Sequence, residues 1–214
     1  MKKKELILSI AIPLVVAAAL FGLLYYQTHR YVEPVVVTDV GAPAFYDPDA
    51  ENVSAAIGLY VLNVGGLDLT TGSYWMDFYL TILCDKPCKP QPDIMNAAGE
   101  PEIEDQTGGT HGGTFYSFRI RADMLTAMDL ADFPFDEHKL VVLIEDKVAG
   151  VEDLSFWADD TLAGVDENVN VAGWTLKPGH EAHMIDKVYP IYPGTYYSRY
   201  RFAITLHTPC SHPS

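Results

Sequence analysis

The chain has 214 residues, enough for one globular domain and a tether, and its 49% hydrophobic, 20% charged composition is that of a folded protein. A formal net charge of −15 excludes a nucleic-acid interface, which needs a basic surface, and argues against docking on anionic lipid. The same charge suits a solvated exterior or the attraction of cation-bearing ligands.

Lys2, Lys3 and Lys4 precede an apolar run from Leu6 to Tyr26. That run is long enough to cross ~30 Å of hydrocarbon as a helix. Tyr25 and Tyr26 fall at its far end, where amphipathic rings favour the interface. The lysines stay cytoplasmic, so the expected location is the cell membrane, single-pass, with the rest of the chain extracytoplasmic. The alternative is a cleaved signal peptide, with Ala17-Ala18-Ala19 as small residues for a peptidase. Apolar residues continue well past that point, which favours the anchor. Beyond Arg30 no stretch has the length of another span; Leu140 to Ile144 is strand-sized.

Three regions follow: an anchor over 1–30, a linker over 31–50 with Pro34, Pro43 and Pro48, and a folded domain over 51–209. The domain reads as short strands. They are Ala55–Val64, Tyr74–Leu83, Phe115–Arg121, Lys139–Glu145, Val169–Leu176, Met184–Tyr189 and Tyr196–His207. Tyr74, Met76, Phe78, Leu80 and Ile82 share one face at period two, as do Tyr200, Phe202, Ile204 and Leu206. The turn-rich stretch from Pro87 to Gly113 is expected to be a surface loop with one short strand. The expected fold class is all-β, an antiparallel immunoglobulin-like β-sandwich preceded by one N-terminal transmembrane helix.

Cys84 and Cys88 lie in a Cys-Asp-Lys-Pro-Cys turn, and outside the cytoplasm a disulfide between them is expected. A metal site would need further ligands, and none is adjacent. His180-Glu181-Ala182-His183 spaces its histidines three apart in a strand or loop, not four apart on a helix, so no metal is expected. Asn52-Val53-Ser54 matches the glycosylation pattern, which has meaning only in a eukaryotic secretory pathway. The sequence has no Gly-x-Ser-x-Gly elbow and no phosphate-binding glycine loop. No catalytic residue, no cofactor and no enzyme activity are expected; an anchored hydrolase is the weakest reading.

Met128 to His138 contains Asp-Leu-Ala-Asp-Phe-Pro-Phe-Asp, which resembles the signature loop of Cys-loop receptors, the pentameric ligand-gated ion channels. Three further segments resemble that family in its order. Ile57-Gly58-Leu59-Tyr60 through Trp75–Leu80 is similar to its first two strands. Pro92-Asp93-Ile94-Met95-Asn96-Ala97 is similar to its binding loop A. Ala172-Gly173-Trp174 followed by Tyr196–Leu206 resembles its last strands. The likeness covers roughly residues 50–207 and is nearest to prokaryotic members. The family's own disulfide would join the positions of Thr126 and Leu140, and neither is cysteine. The arginine expected near Leu206-His207 is missing, the pore helices are absent, and an N-terminal helix is present instead.

The resemblance implies a small-molecule ligand, possibly cationic, held between subunits of a homo-oligomer (a pentamer) in a cage of aromatic rings, where cation–π attraction acts. Asp93 and Asn96 would come from loop A, and Trp157 and Asp159 from loop B near Phe156–Asp160. Tyr189, Tyr192 and Tyr196 would come from the loop C hairpin. Phe133, Pro134, Phe135 and Asp136 would form a membrane-facing turn that passes strain toward a gate. The chain stops at Ser214, where a pore helix would begin in the family. A truncated receptor and a stand-alone binding protein are both compatible with that. The alternative function is a structural or adhesion module that uses the sandwich as scaffold.

Overall fold

The computed structural model describes residues 52–128 and 137–208. The anchor over 1–30, the linker over 31–50 and the signature turn Phe133–Asp136 lie outside the described residues. Among those described, no helix is long and apolar enough to cross a membrane.

The described chain is all-β. Eleven strands run in order: β1 Val53–Asp68, β2 Ser73–Cys84, β3 Pro92–Ile94, β4 Glu102–Asp105, β5 Phe115–Leu125, β6 Glu137–Asp146, β7 Leu154–Ala158, β8 Gly164–Val165, β9 Thr175–Leu176, β10 Glu181–Val188 and β11 Tyr196–His207. One sheet has the order β4-β5-β2-β1-β7, with β8 also on β1. The other has the order β10-β11-β6-β3, with β9 also on β11.

The two sheets meet because their strands alternate. On β2, Tyr74, Met76, Phe78, Leu80 and Ile82 are buried, and their neighbours turn outward. Leu140, Val142 and Ile144 on β6, with Tyr200, Phe202, Ile204 and Leu206 on β11, bury the facing surface. All of them belong to one hydrophobic core. Period-two burial in both sheets locks the register, because a slip by one residue would send every core side chain to solvent.

Several features differ from the sequence expectation, among them two short strands, β3 and β4, between Pro87 and Gly113 where one was expected. The sheets are not wholly antiparallel: β7 and β8 both pair with β1 in parallel. Strands roughly a hundred residues apart need no hairpin, and the cost of closing a long loop grows slowly with its length. Val169–Leu176 is strand only at Thr175–Leu176. There Val169 and Val171 are buried from a turn in which the Trp174 amide donates to the Val171 carbonyl at 3.0 Å. The loop expected around Phe156 and Trp157 is strand β7, with Phe156 in the core. Its apolar residues are needed to close the edge of the first sheet.

Cys84, the last residue of β2, is bonded to Cys88. The bonded loop sits against the start of β5, where the Tyr116 hydroxyl donates to the Cys88 carbonyl at 2.6 Å.

At Gly58 the chain of a neighbouring turn comes close to the first sheet. A Cβ there would lie 2.6 and 2.7 Å from the carbonyl carbon and oxygen of Leu162, in the 3-10 turn Asp160–Leu162. Backbone cannot swing aside as a flexible side chain can, so Gly58→Ala should destabilise by ~1–3 kcal/mol. Gly99→Ala, with no atom within 4 Å of the added methyl, should change stability little. Urea denaturation of the two variants side by side measures the difference.

Candidate functional site

One end of the second sheet carries most of the ligand contacts expected from the sequence. Its foundation is Asn96, just past β3. The Asn96 side-chain amide donates to the carbonyls of Leu125 at 3.0 Å and Val141 at 2.7 Å, and its oxygen accepts from the Leu143 amide at 3.0 Å. Leu125 ends β5 in the first sheet, whereas Val141 and Leu143 lie on β6 in the second. Asn96 is thus a cross-sheet staple, and its polar atoms are engaged within the fold. Tyr74 reinforces it from the core, its hydroxyl donating to the same Val141 carbonyl at 2.5 Å. Burial raises the Tyr74 phenol well above its ordinary range, so the donor proton is retained at any physiological pH.

Asp93 lies two strand positions before Met95 and is the register partner of Glu145 on β6. Directly opposed residues on antiparallel strands share a face, so both carboxylates belong to the outward side. Their environments differ. Glu145 is 3% exposed, and its Oε1 accepts from Arg199 Nε at 2.5 Å. The Tyr189 hydroxyl donates to Glu145 Oε2 at 2.9 Å and accepts from Arg199 Nη2 at 2.8 Å. Burial, and then the hydrogen bond to Glu145, raise the Tyr189 phenol above its usual value. Asp93 is half-exposed and, among the described residues, its carboxylate makes no hydrogen bond or ion pair.

The same network anchors the β10–β11 hairpin, which is in register from Glu181↔Ala203 to Val188↔Tyr196. Tyr189 packs edge-on against Tyr197 with ring centroids 5.6 Å apart, and Lys187 Nζ sits 5.7 Å above the Tyr189 ring. Past this anchor the chain turns with Tyr192 donating to the Tyr189 carbonyl at 3.0 Å and Thr195 to the Tyr192 carbonyl at 3.2 Å. Gly194 adopts φ 91°, a conformation that favours glycine. The turn leaves large side chains in solvent: Ile191 is 76% exposed, Tyr192 56% and Tyr196 53%. The Tyr196 carbonyl accepts from Val151 at 2.8 Å, which joins the turn to the β6–β7 connection.

Farther along the face, Glu181 bridges Lys139 at 2.6 Å and Arg201 at 3.4 Å. Burial pushes the Glu181 carboxyl up, but the two cations outweigh it and hold it below its ordinary range. His183 lies in the same neighbourhood; burial and then Arg201 lower its pKa.

Trp157 and Asp159 are not part of this face. Trp157 is on β7, paired with Ala56 in the first sheet. Asp159 caps the 3-10 turn, accepting from the Thr161 amide at 2.9 Å and its hydroxyl at 2.7 Å. The next residue, Asp160, faces His180 at 3.6 Å, at the beginning of β10. From 180 to 189 is roughly 30 Å of extended chain. Asp93, Tyr189, Tyr192 and Tyr196 therefore gather at one end of the second sheet, and Asp159 caps a turn near the other. His180 stacks on Phe202, at centroids 5.2 Å apart, while His183 is paired with Arg201 on the outward side. No three potential metal ligands cluster among the described residues.

Glu145 and Arg199 were missed in the sequence because Lys139–Glu145 reads as a continuous core strand. The available signal was Arg199 and Arg201 alternating with Tyr200 and Phe202 on β11, which implies a charged outward face needing an acid on the next strand.

Removing one member of a buried ion pair leaves the other desolvated, so Arg199→Ala should cost ~3–5 kcal/mol. Asn96→Ala should cost about 2–4 kcal/mol by leaving backbone groups of β5 and β6 unpaired. Denaturant midpoints of both variants, against the exposed-residue control Tyr192→Ala, measure these losses. If Asn96→Ala is as stable as the control, Asn96 is not a staple. No protein-family model matches the chain, and no curated protein matches it.

Proposed function

We propose that the chain is a membrane-anchored, extracytoplasmic ligand-binding domain of the kind found in prokaryotic pentameric ligand-gated channels. On this reading the fold is an immunoglobulin-like sandwich, the domain works as a homo-oligomer, and a small molecule binds at the β10–β11 turn. The observation that carries the proposal is the pairing of a rigid base with an exposed aromatic tip. Tyr189 is fastened by Glu145 and Arg199, while Tyr192 and Tyr196 stand in solvent on the same hairpin. Rings with a polar edge, gathered on one turn, suit a small ligand with cationic or hydrogen-bonding groups. Asp93, half-exposed on the outward face with Tyr189, supplies a carboxylate that the fold does not consume. The sequence likeness around Phe133–Asp136 supports the family reading independently of this face.

The test uses the full chain in detergent and a panel of amines, amino acids and small acids. A ligand at a hundred times its dissociation constant adds about 2.7 kcal/mol of stability. For a domain of this size that is a rise in melting temperature of roughly 5–10 °C. Tyr192→Ala combined with Tyr196→Ala should abolish the rise with little change in the unliganded melting temperature. A flat response across the whole panel would leave the scaffold or adhesion reading in its place.

A further inference from the structure

The loop closed by Cys84 and Cys88 is a meeting point of three strands. The Cys84 amide donates to the Thr114 carbonyl at 2.7 Å, and the Cys88 amide to the Gly113 carbonyl at 2.9 Å. Inside the ring, the Asp85 amide donates to the Ser54 carbonyl at 2.9 Å, and Asp85 Oδ1 accepts from the Ser54 amide at 3.0 Å. The starts of β1 and β5 are thereby tied to the end of β2. Downstream the chain crosses to the second sheet through Pro90-Gln91-Pro92. The Gln91 amide donates to Asp146 Oδ2 at 2.7 Å, and the Lys147 amide to the Gln91 carbonyl at 2.8 Å. β3 and Asp93 follow at once.

The cross-link spans a sequence separation of 4, so it joins residues that already share a corner. A bond of that kind constrains a local turn far more than it staples distant parts of the fold. Its two cysteines also differ in exposure: Cys84 is 4% exposed within the core, and Cys88 is half-buried at its margin. From these features we infer that Cys84–Cys88 is a site of thiol–disulfide exchange, and that its reduction by a dithiol loosens the β2–β3 crossing and leaves the core intact. One thiolate of the dithiol attacks the Cys88 sulfur and the S–S bond breaks. The Cys84 sulfur leaves and takes a proton. The second thiol of the reductant then resolves the mixed disulfide, releasing Cys88 as a thiol and the reductant as its own disulfide. Two electrons and two protons pass to the protein. The inference does not depend on the ligand-binding reading.

The experiment uses the full chain with Cys210→Ser, so that Cys84 and Cys88 are its only cysteines. The native protein is treated with dithiothreitol, quenched with maleimide and weighed, and amide exchange is followed by mass spectrometry. The expected result is two labels under native conditions. Exchange should then rise at least tenfold over 85–95 and 110–116, with protection of β2 and β11 unchanged. The double variant Cys84→Ser/Cys88→Ser should fold and show the same local pattern without reductant. Labels that enter only in denaturant would overturn the inference. So would loss of β2 and β11 protection on reduction, or failure of the double variant to fold, since either makes the bond a global staple.

Discussion

Alternation of side chains across two facing sheets governs everything else in this domain. Leu140, Val142 and Ile144 on β6, and Tyr200, Phe202, Ile204 and Leu206 on β11, all point into one core. Because the pleat has a period of two, burying these residues dictates which residues face outward. Glu145, Arg199 and Arg201 are on the outward face because Ile144, Tyr200 and Phe202 are on the inward one. The charged face is therefore a geometric consequence of the apolar one.

That consequence creates an electrostatic problem and also its remedy. Glu145 is almost fully covered, and an unpaired carboxylate there would be strongly destabilising. Arg199 on the neighbouring strand and the Tyr189 hydroxyl both reach it. The network also determines where the hairpin departs from the sheet, since Tyr189 is the last residue fastened before the exposed turn. Polar satisfaction at the base and aromatic exposure at the tip are two results of one arrangement. The excess negative charge of the chain acts at longer range and is screened within about 8–10 Å at physiological salt.

Asn96 is the clearest case of a residue whose type was legible but whose role was not. The likeness of Pro92–Ala97 to a binding loop cast Asn96 as a ligand contact. The structure uses all of its side-chain polar atoms to join Leu125, Val141 and Leu143, which belong to strands of different sheets. Trp157 went the other way: an aromatic near two aspartates looked like part of a loop, but β7 needs it to pair beside β1. In both residues the deciding partner lies far away in sequence, at Val141 and at Ala56.

The sequence by itself located β2, β5 and β11 through alternation and β6 through an apolar run. It also determined which residues of β2 and β11 enter the core, because side-chain polarity at period two is a local property. It placed Cys84 and Cys88 close enough to bond. Tertiary structure alone decided the parallel pairing of β7 and β8 with β1, the placing of Asp93 opposite Glu145, and the fastening of Tyr189 by Arg199. Those contacts join residues from 10 to about 100 positions apart, and no local pattern carries information about which strand will lie alongside. Only the packing of both sheets about a shared core selects the partner.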